Sequence, residues 1–293
     1  MSISITEIHP LLGARVEGVD LRQPITADDV AFIEQSIARY PVLVFPAQII
    51  DDRQQIEFSL NFGTLQTATT YATNPDRHRL AAVITDVSNV GKDNQTFGPG
   101  DRRRMNALGS RRWHSDSSYQ TVPAKYSLLS ARTIPGVGGE TQFADMRAAY
   151  DALPDHLRTL VEDLLVEHNV IYSRSVVGFT DFSEEERSAL PPVHQRLVRR
   201  HPISRRRSLF LSGHASHIVG WPLPQGRDLL YQLSDFATQP QFVFEHRWTV
   251  GDLVMWDNRS LMHRARPYFP ETATRDMHRT SVNDVASTLD QPN

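Results

Sequence analysis

The patterning of this chain predicts a mixed α+β domain built largely from short strands. Short apolar or alternating runs recur at residues 42–45, 126–131, 208–212, 241–248 and 252–257, each with the length and composition of a strand inside a sandwich. The helical patterns are few and begin at recognisable caps. No internal repeat, low-complexity tract or linker-like stretch divides the 293 residues, so the chain reads as one domain, 1–293.

Taken in order, Thr26 with Asp29 opens a helix whose Val30, Ile33 and Ile37 share one face, and the strand at 42–45 follows. Asp51 caps a second helix that ends at Gly63. Residues 66–112 are polar, glycine-bearing and weakly patterned; long loops in compact domains are functional or disordered, and this segment reads as a variable region containing an active-site lid. Residues 144–165 read as helical, interrupted at Pro154, which suits the first turn of a new helix. Ser183 and Glu186 form a capping box before a short helix, and residues 227–236 suggest another. Residues 274–282 end in β-branched side chains and read as a strand.

Composition narrows the function. With 40% hydrophobic residues the chain can bury a large core. The absence of cysteine excludes disulfides, iron–sulfur clusters and thiolate haem ligation, so any metal must be held by nitrogen and oxygen. A net charge of −3 offers no footprint for nucleic acid, and the basic clusters at 102–104 and 205–207 are short enough to read as solvated loops. No apolar run approaches a bilayer span, and the first ten residues lack the basic and apolar regions of a signal peptide. A cytoplasmic protein without a membrane partner is expected.

Against that background, His114 and Asp116 stand out. Residues two apart in an extended segment point to the same side, so one imidazole and one carboxylate can grip a single ion, and His263 can complete the set. Two histidines and a carboxylate on one face of an octahedral metal leave three positions open, the arrangement of non-haem Fe(II) oxygenases. Beyond His263, the strand pattern puts Arg275, Met277 and Arg279 on one face, with the two guanidinium groups starting roughly 13 Å apart at ~3.3 Å per residue. An inward pair would bind two carboxylates through planar, bidentate forks. On spacing alone, a pair of solvated arginines on an edge strand is the alternative.

The order of segments 113–119, 138–154 and 256–264, followed by Arg275 and Arg279, resembles the taurine dioxygenase family of Fe(II)/2-oxoglutarate-dependent oxygenases, and within it the 2,4-dichlorophenoxyacetate dioxygenases. The likeness extends from residues 18–25 and 42–63 to 279–282. It implies a mainly β protein with flanking helices around a double-stranded β-helix, a cupin-like jelly roll. It also implies His114, Asp116 and His263 as iron ligands, Thr141 and Arg275 on the distal carboxylate of 2-oxoglutarate, and Arg279 on an acidic group of the primary substrate. Residues 213–217 resemble a segment of the phenoxyacetate enzymes, which makes His217 a donor to an ether or carboxylate oxygen. The implied reaction consumes O2 and 2-oxoglutarate and cleaves an aryloxyalkanoate, in a homo-oligomeric enzyme. A sister oxygenase acting on a sulfonate or other small organic acid is one alternative, and a non-catalytic jelly-roll protein that retains its metal site is another. Relatives often carry Asn four residues before the first histidine ligand, where this chain has Ser110.

Other motifs fail on inspection. Residues 136–141 do not complete GxGxxG and precede a strand-like run, and no Walker A loop, HExxH helix or GxSxG elbow is present. His201, His246 and His278 read as surface or packing residues, Trp113 and Trp256 as walls around the metal, and Lys92 as an exposed lysine or an anion contact.

Overall fold

Residues 3–69, 78–93, 95–271 and 273–292 are described by the structure, a computed structural model. Its larger sheet contains β1 (Ser4–His9), β2 (Gly13–Glu17), β3 (Val42–Phe45), β4 (Ile84–Asp86), β5 (Ala124–Thr133), β13 (Leu253–Asp257) and β15 (Asp276–Asn283), in the order β1-β2-β3-β13-β5-β15-β4. A smaller sheet places β6 (Thr141–Asp145) between β12 (Val243–His246) and β14 (Leu261–Ala265). A third set joins β7 (Leu165–His168) to β8 (Val193–Arg196) and β11 (Ala215–Ile218), and β9 (Val198–Arg200) pairs with β10 (Arg207–Leu209). Helices α1 (Ala27–Arg39), α2 (Asp52–Leu60), α3 (Arg102–Ala107), α4 (Met146–Asp151), α5 (Asp155–Val161), α6 (Val170–Ser175), α7 (Glu184–Ala189) and α8 (Leu223–Ala237) flank the strands. The protein is thus mostly β with added helices.

Strand alternation explains why the central runs are apolar throughout. Leu43 and Phe45 of β3, Tyr126 and Leu128 of β5, and Leu253 and Met255 of β13 pack with Ile33 and Ile37 of α1 and Phe58 of α2. The residues between them, Val42, Val44, Leu129, Val254 and Trp256, turn to the opposite face and pack with Phe143 of β6, Leu261 of β14 and Met277 of β15. With both faces covered, neither parity is free to be polar. A separate cluster seats α4 and α8 on β7, β10 and β11 through Met146, Tyr150, Leu229, Leu233, Val166 and Leu209.

Local signals place most helix starts. Thr26 and Asp29, Asp51 and Gln54, and Ser183 and Glu186 each form the reciprocal capping box that satisfies otherwise orphaned N–H groups. The second helix ends at Leu60, and the chain turns through Gly63, whose φ of +136° lies outside the range of ordinary side chains. The helix expected at 227–236 extends over Leu223–Ala237.

Two expectations need correction. Pro154 does separate two helices within residues 144–165, immediately preceding the second, but the helical span is shorter than expected: Ala144 and Asp145 belong to β6, Leu165 opens β7, and α4 and α5 lie between them. Ala144 pairs with Met262 and Val243, and the Asp145 carboxylate accepts from Arg147 N and Ala148 N to start α4, so strand pairing overrides the alanine-rich helical pattern. Residues 102–104 are not a solvated loop but the first turn of α3. Arg102 pairs with Asp181 and Glu186, and Arg104 with Glu271.

Candidate active site

His114 and His263 are fastened to each other through their main chains. His114 N donates to His263 O at 2.9 Å and His263 N donates to His114 O at 2.8 Å, an isolated antiparallel bridge that holds the segment before Asp116 against β14. The ring centroids lie 4.2 Å apart. Asp116 closes the triangle, with Oδ1 3.8 Å from His114 Nε2 and Oδ2 3.7 Å from His263 Nε2. One ligand atom from each residue falls within 4.8 Å of the others.

The surroundings hold each group in a metal-binding protonation state. His114 Nδ1 donates to Arg112 O at 2.8 Å, which fixes the tautomer and leaves Nε2 with its lone pair. His263 has a buried Nδ1 without a hydrogen-bond partner, so neither ring nitrogen is committed elsewhere. Its ring lies against Trp256, with centroids 4.7 Å apart. Burial lowers the pKa of both imidazoles, keeping them neutral. Burial alone would raise Asp116, but Arg279, with His263 and His114, holds its carboxyl down at about 2. Ser127 Oγ donates to Asp116 Oδ2 at 2.7 Å, Asn258 Nδ2 donates to Ser127 Oγ at 2.9 Å, and Trp256 Nε1 donates to Asn258 Oδ1 at 3.1 Å. Two neutral imidazoles and an ionised carboxylate, oriented by a second layer of hydrogen bonds, fit a divalent cation.

The cluster borders a cavity of about 1040 Å³, at the upper end of small-molecule sites and roomy enough for two small organic acids. Ten arginine and lysine side chains line it against five carboxylates, so it attracts anions. Arg275 and Arg279 both reach it. Arg275 lies just before β15, and a register shift between Asp276 and Met277 interrupts the simple alternation. Arg275 is buried with no carboxylate partner among the described residues: Nη1 donates to Val87 O at 3.4 Å, and its backbone N–H to Asn89 Oδ1 at 2.8 Å. Burial pulls its guanidinium down to about 10. Arg279 instead points Nη1 at Asp116 Oδ1, at 2.5 Å.

The remaining expected residues divide. Thr141 is buried at the head of β6, where its Oγ1 accepts from Trp248 Nε1 at 3.0 Å, leaving the hydroxyl hydrogen free to donate. Lys92 and Ser110 line the cavity. His217 does not: its Nδ1 lies 2.9 Å from Ser216 Oγ and 3.7 Å from Glu167, away from the wall. Of the two histidines in that segment, His214 does line the cavity, buried, with Nδ1 2.8 Å from Ser173 Oγ and its ring 6.1 Å from that of His114. Gly213, next to it, carries a sequence signal: a Cβ there would sit 3.0 Å from Trp113 O, so any larger residue would crowd this turn against the ligand segment. His201, His246 and His278 are packing residues, paired with Asp257, Asp252 and Asp52. Trp113 lies under Arg264. Arg174, also on the cavity wall, has no counterpart among the residues expected from sequence.

Donor set, burial and an anion-attracting cavity together fit a metal-dependent enzyme acting on small acids, and comparison with known proteins shows it to be a dioxygenase. The chain belongs to the taurine catabolism dioxygenase TauD, TfdA family, matching it over residues 4–281. It is 44% identical to the alpha-ketoglutarate-dependent 2,4-dichlorophenoxyacetate dioxygenase of Cupriavidus pinatubonensis, across 98% of this chain and 99% of that protein. To the (S)-phenoxypropionate/alpha-ketoglutarate-dioxygenase of Sphingobium herbicidovorans it is 38% identical, across 98% and 97%. The crystal structure of AAD-2 in complex with Mn(II) and N-oxalylglycine superposes with a TM-score of 0.90 at 45% identity, covering 99% of this chain and 100% of that one.

Proposed function

We propose that this protein is an Fe(II)- and 2-oxoglutarate-dependent dioxygenase that hydroxylates the carbon between the ether oxygen and carboxylate of an aryloxyacetate such as 2,4-dichlorophenoxyacetate. The resulting hemiacetal collapses to a phenol and glyoxylate, while 2-oxoglutarate and O2 give succinate and CO2. The observation that carries this reading is the buried His114, Asp116 and His263 set beside a cationic cavity in which Arg275 has no acid of its own.

His114, Asp116 and His263 would hold the iron, which when bound supplies O2 activation coupled to decarboxylation of 2-oxoglutarate. Arg275 offers a bidentate fork to the distal carboxylate of 2-oxoglutarate, and Thr141 adds a hydroxyl donor. Arg279, anchored on Asp116, presents its remaining N–H groups to an acidic group of the substrate. Trp256 and Phe143 pack on His263 and keep water from that side of the donor set.

The fold reading is finer than mostly β. Successive strands β5, β6, β12, β13, β14 and β15 alternate between the larger and smaller sheets, with β6 and β12 together in the smaller one, which supports a double-stranded β-helix core. The family match over residues 4–281 supports a single domain. Residues 66–112 are read as its lid, since described parts of that segment line the cavity; residues 70–77 and 94 lie outside the described residues.

The test is anaerobic loading with Fe(II) and 2-oxoglutarate, then aerobic measurement of succinate and phenol across aryloxyacetates, aryloxypropionates, alkylsulfonates and fatty acids. Stoichiometric phenol and succinate from an aryloxyacetate is the expected result. Coupled turnover confined to sulfonates would replace this reading with the sister oxygenase.

A further inference from the structure

Arg174 is the unexplained charge in this cavity. It projects from α6, a short helix otherwise occupied by neutral side chains, and lines the same space as His114 and Asp116. Its Nε donates to Asn106 Oδ1 at 2.8 Å and its Nη1 to Ser173 Oγ at 3.4 Å. Both partners are neutral, and no carboxylate among the described residues pairs with it. Gly109 lies directly beneath the guanidinium, where an added Cβ would meet Nη1 at 2.1 Å. Asn106, Ser173 and a bare glycine thus hold a half-buried cation in place without discharging it.

Its position is close to the reacting centre. Ser173 Oγ, which Arg174 Nη1 meets at 3.4 Å, also lies 2.8 Å from Nδ1 of His214, whose ring centroid is 6.1 Å from that of His114. Arg266 shares the cavity wall, and several other basic residues near the site already have partners. Arg279 is compensated by Asp116, Arg102 and Arg104 by acids, and Arg112 spends its donors on Ser173 O and Gly213 O. Arg111 also lines the cavity but is exposed. With Arg275 assigned to 2-oxoglutarate, a half-buried guanidinium on the wall of the cavity that the donor set borders calls for a second anion.

Resting on the function proposed above, we propose that Arg174 is a second anchor for the primary substrate, receiving its carboxylate and making the enzyme selective for free acids over neutral analogues. The oxidised carbon in an aryloxyacetate is bonded directly to the carboxyl group, so the acid must sit within a few ångströms of the donor set. An anchor there fixes which C–H faces the metal. Asn106 and Gly109 act as positioning residues, the first by orienting Nε and the second by leaving room beneath the fork.

The test compares wild type with Arg174→Met, Arg174→Lys and Gly109→Ala. Calorimetric binding of phenoxyacetate to the anaerobic Fe(II) and 2-oxoglutarate-loaded protein should weaken about ten- to a hundredfold in Arg174→Met, the range expected for a charge-assisted hydrogen bond. Affinity for 2-oxoglutarate should change by less than about threefold. The preference in kcat/KM for phenoxyacetate over phenoxyacetamide should collapse in Arg174→Met and recover partly in Arg174→Lys, which restores charge without the fork. Gly109→Ala, which displaces the guanidinium, should follow in the same direction. Unchanged phenoxyacetate binding in Arg174→Met, or equal losses for acid and amide, would overturn the anchor, as would a loss that extends equally to 2-oxoglutarate. Wild-type protein that binds phenoxyacetate tightly through Arg174 yet never releases phenol would instead overturn the proposed function and leave the anchor standing.

Discussion

Replacing Arg275 by methionine should make the ligand-free protein more stable while removing its response to 2-oxoglutarate. The guanidinium is buried, its side chain has one long hydrogen bond to Val87 O, and no carboxylate offsets it. Burial lowers its pKa from the ordinary guanidinium range to about 10, so at neutral pH the folded state holds a charge at a cost of up to about 3 kcal/mol. Methionine has similar length and carries no charge, and loss of the weak bond to Val87 O returns about 1 kcal/mol. The net gain is about 1–3 kcal/mol, or a rise in Tm of about 2–6 °C for a chain of this size. In wild type, 2-oxoglutarate at about a hundred times its Kd should add about 2.7 kcal/mol, a further shift of about 5 °C. That shift should vanish in Arg275→Met. Thermal unfolding of both proteins with Mn(II), with and without 2-oxoglutarate, measures all four states. A variant that melts several degrees below wild type and keeps the full ligand-induced shift would show that Arg275 is a structural charge and not the cosubstrate anchor.

Alanine at His114, Asp116 or His263 should cut ferrous binding and succinate formation by at least about a hundredfold, and near-wild-type metal affinity in any one would remove it from the ligand set. Thr141→Val strands the buried Trp248 Nε1–H and removes a donor to 2-oxoglutarate, so it should cost about 1–3 kcal/mol of stability and about two- to tenfold in 2-oxoglutarate affinity, whereas Thr141→Ser should retain both; equal behaviour of the two variants in calorimetry would refute the hydroxyl's role. His278 bridges Asp52 and Asp276 with Arg79 alongside, and these carboxylates raise its pKa above 6.5 against the opposing effect of burial. Its stabilisation is complete below the unfolded pKa and fades as pH rises through the higher folded value, so His278→Gln should lose more stability at pH 5.5 than at pH 9 in denaturant titrations; a pH-independent loss would contradict that linkage.

What was legible in sequence was local. Caps at Thr26, Asp51 and Ser183 announce themselves within four residues, because the side chain and the N–H it satisfies are neighbours. His114 and Asp116 were paired by their spacing alone, and the structure brings His263 to them. The rest depended on partners distant in the chain. His217 has the expected strand character, but β11 shifts register against β7 between Ala215 and His217, and of the two histidines in that segment it is His214 that lines the cavity. No alternation rule locates such a shift. Arg279 meeting Asp116 and Arg174 meeting Asn106 are contacts between segments whose separate patterns say nothing of each other. The helical pattern of residues 144–165 overruns at its start because Ala144 is claimed by two neighbouring strands, Val243 on one side and Met262 on the other.

The reciprocal main-chain bonds between His114 and His263 bear on how the site would tolerate loss of a ligand. Because amide groups and not side chains join the two positions, deleting one imidazole leaves the other where it was and opens a hole of known shape beside it. Small exogenous bases such as imidazole could enter that hole. The pair therefore behaves as a socket with interchangeable contacts, and a chain mutated to glycine at either position becomes a host whose ligand is chosen by what is added to the solution.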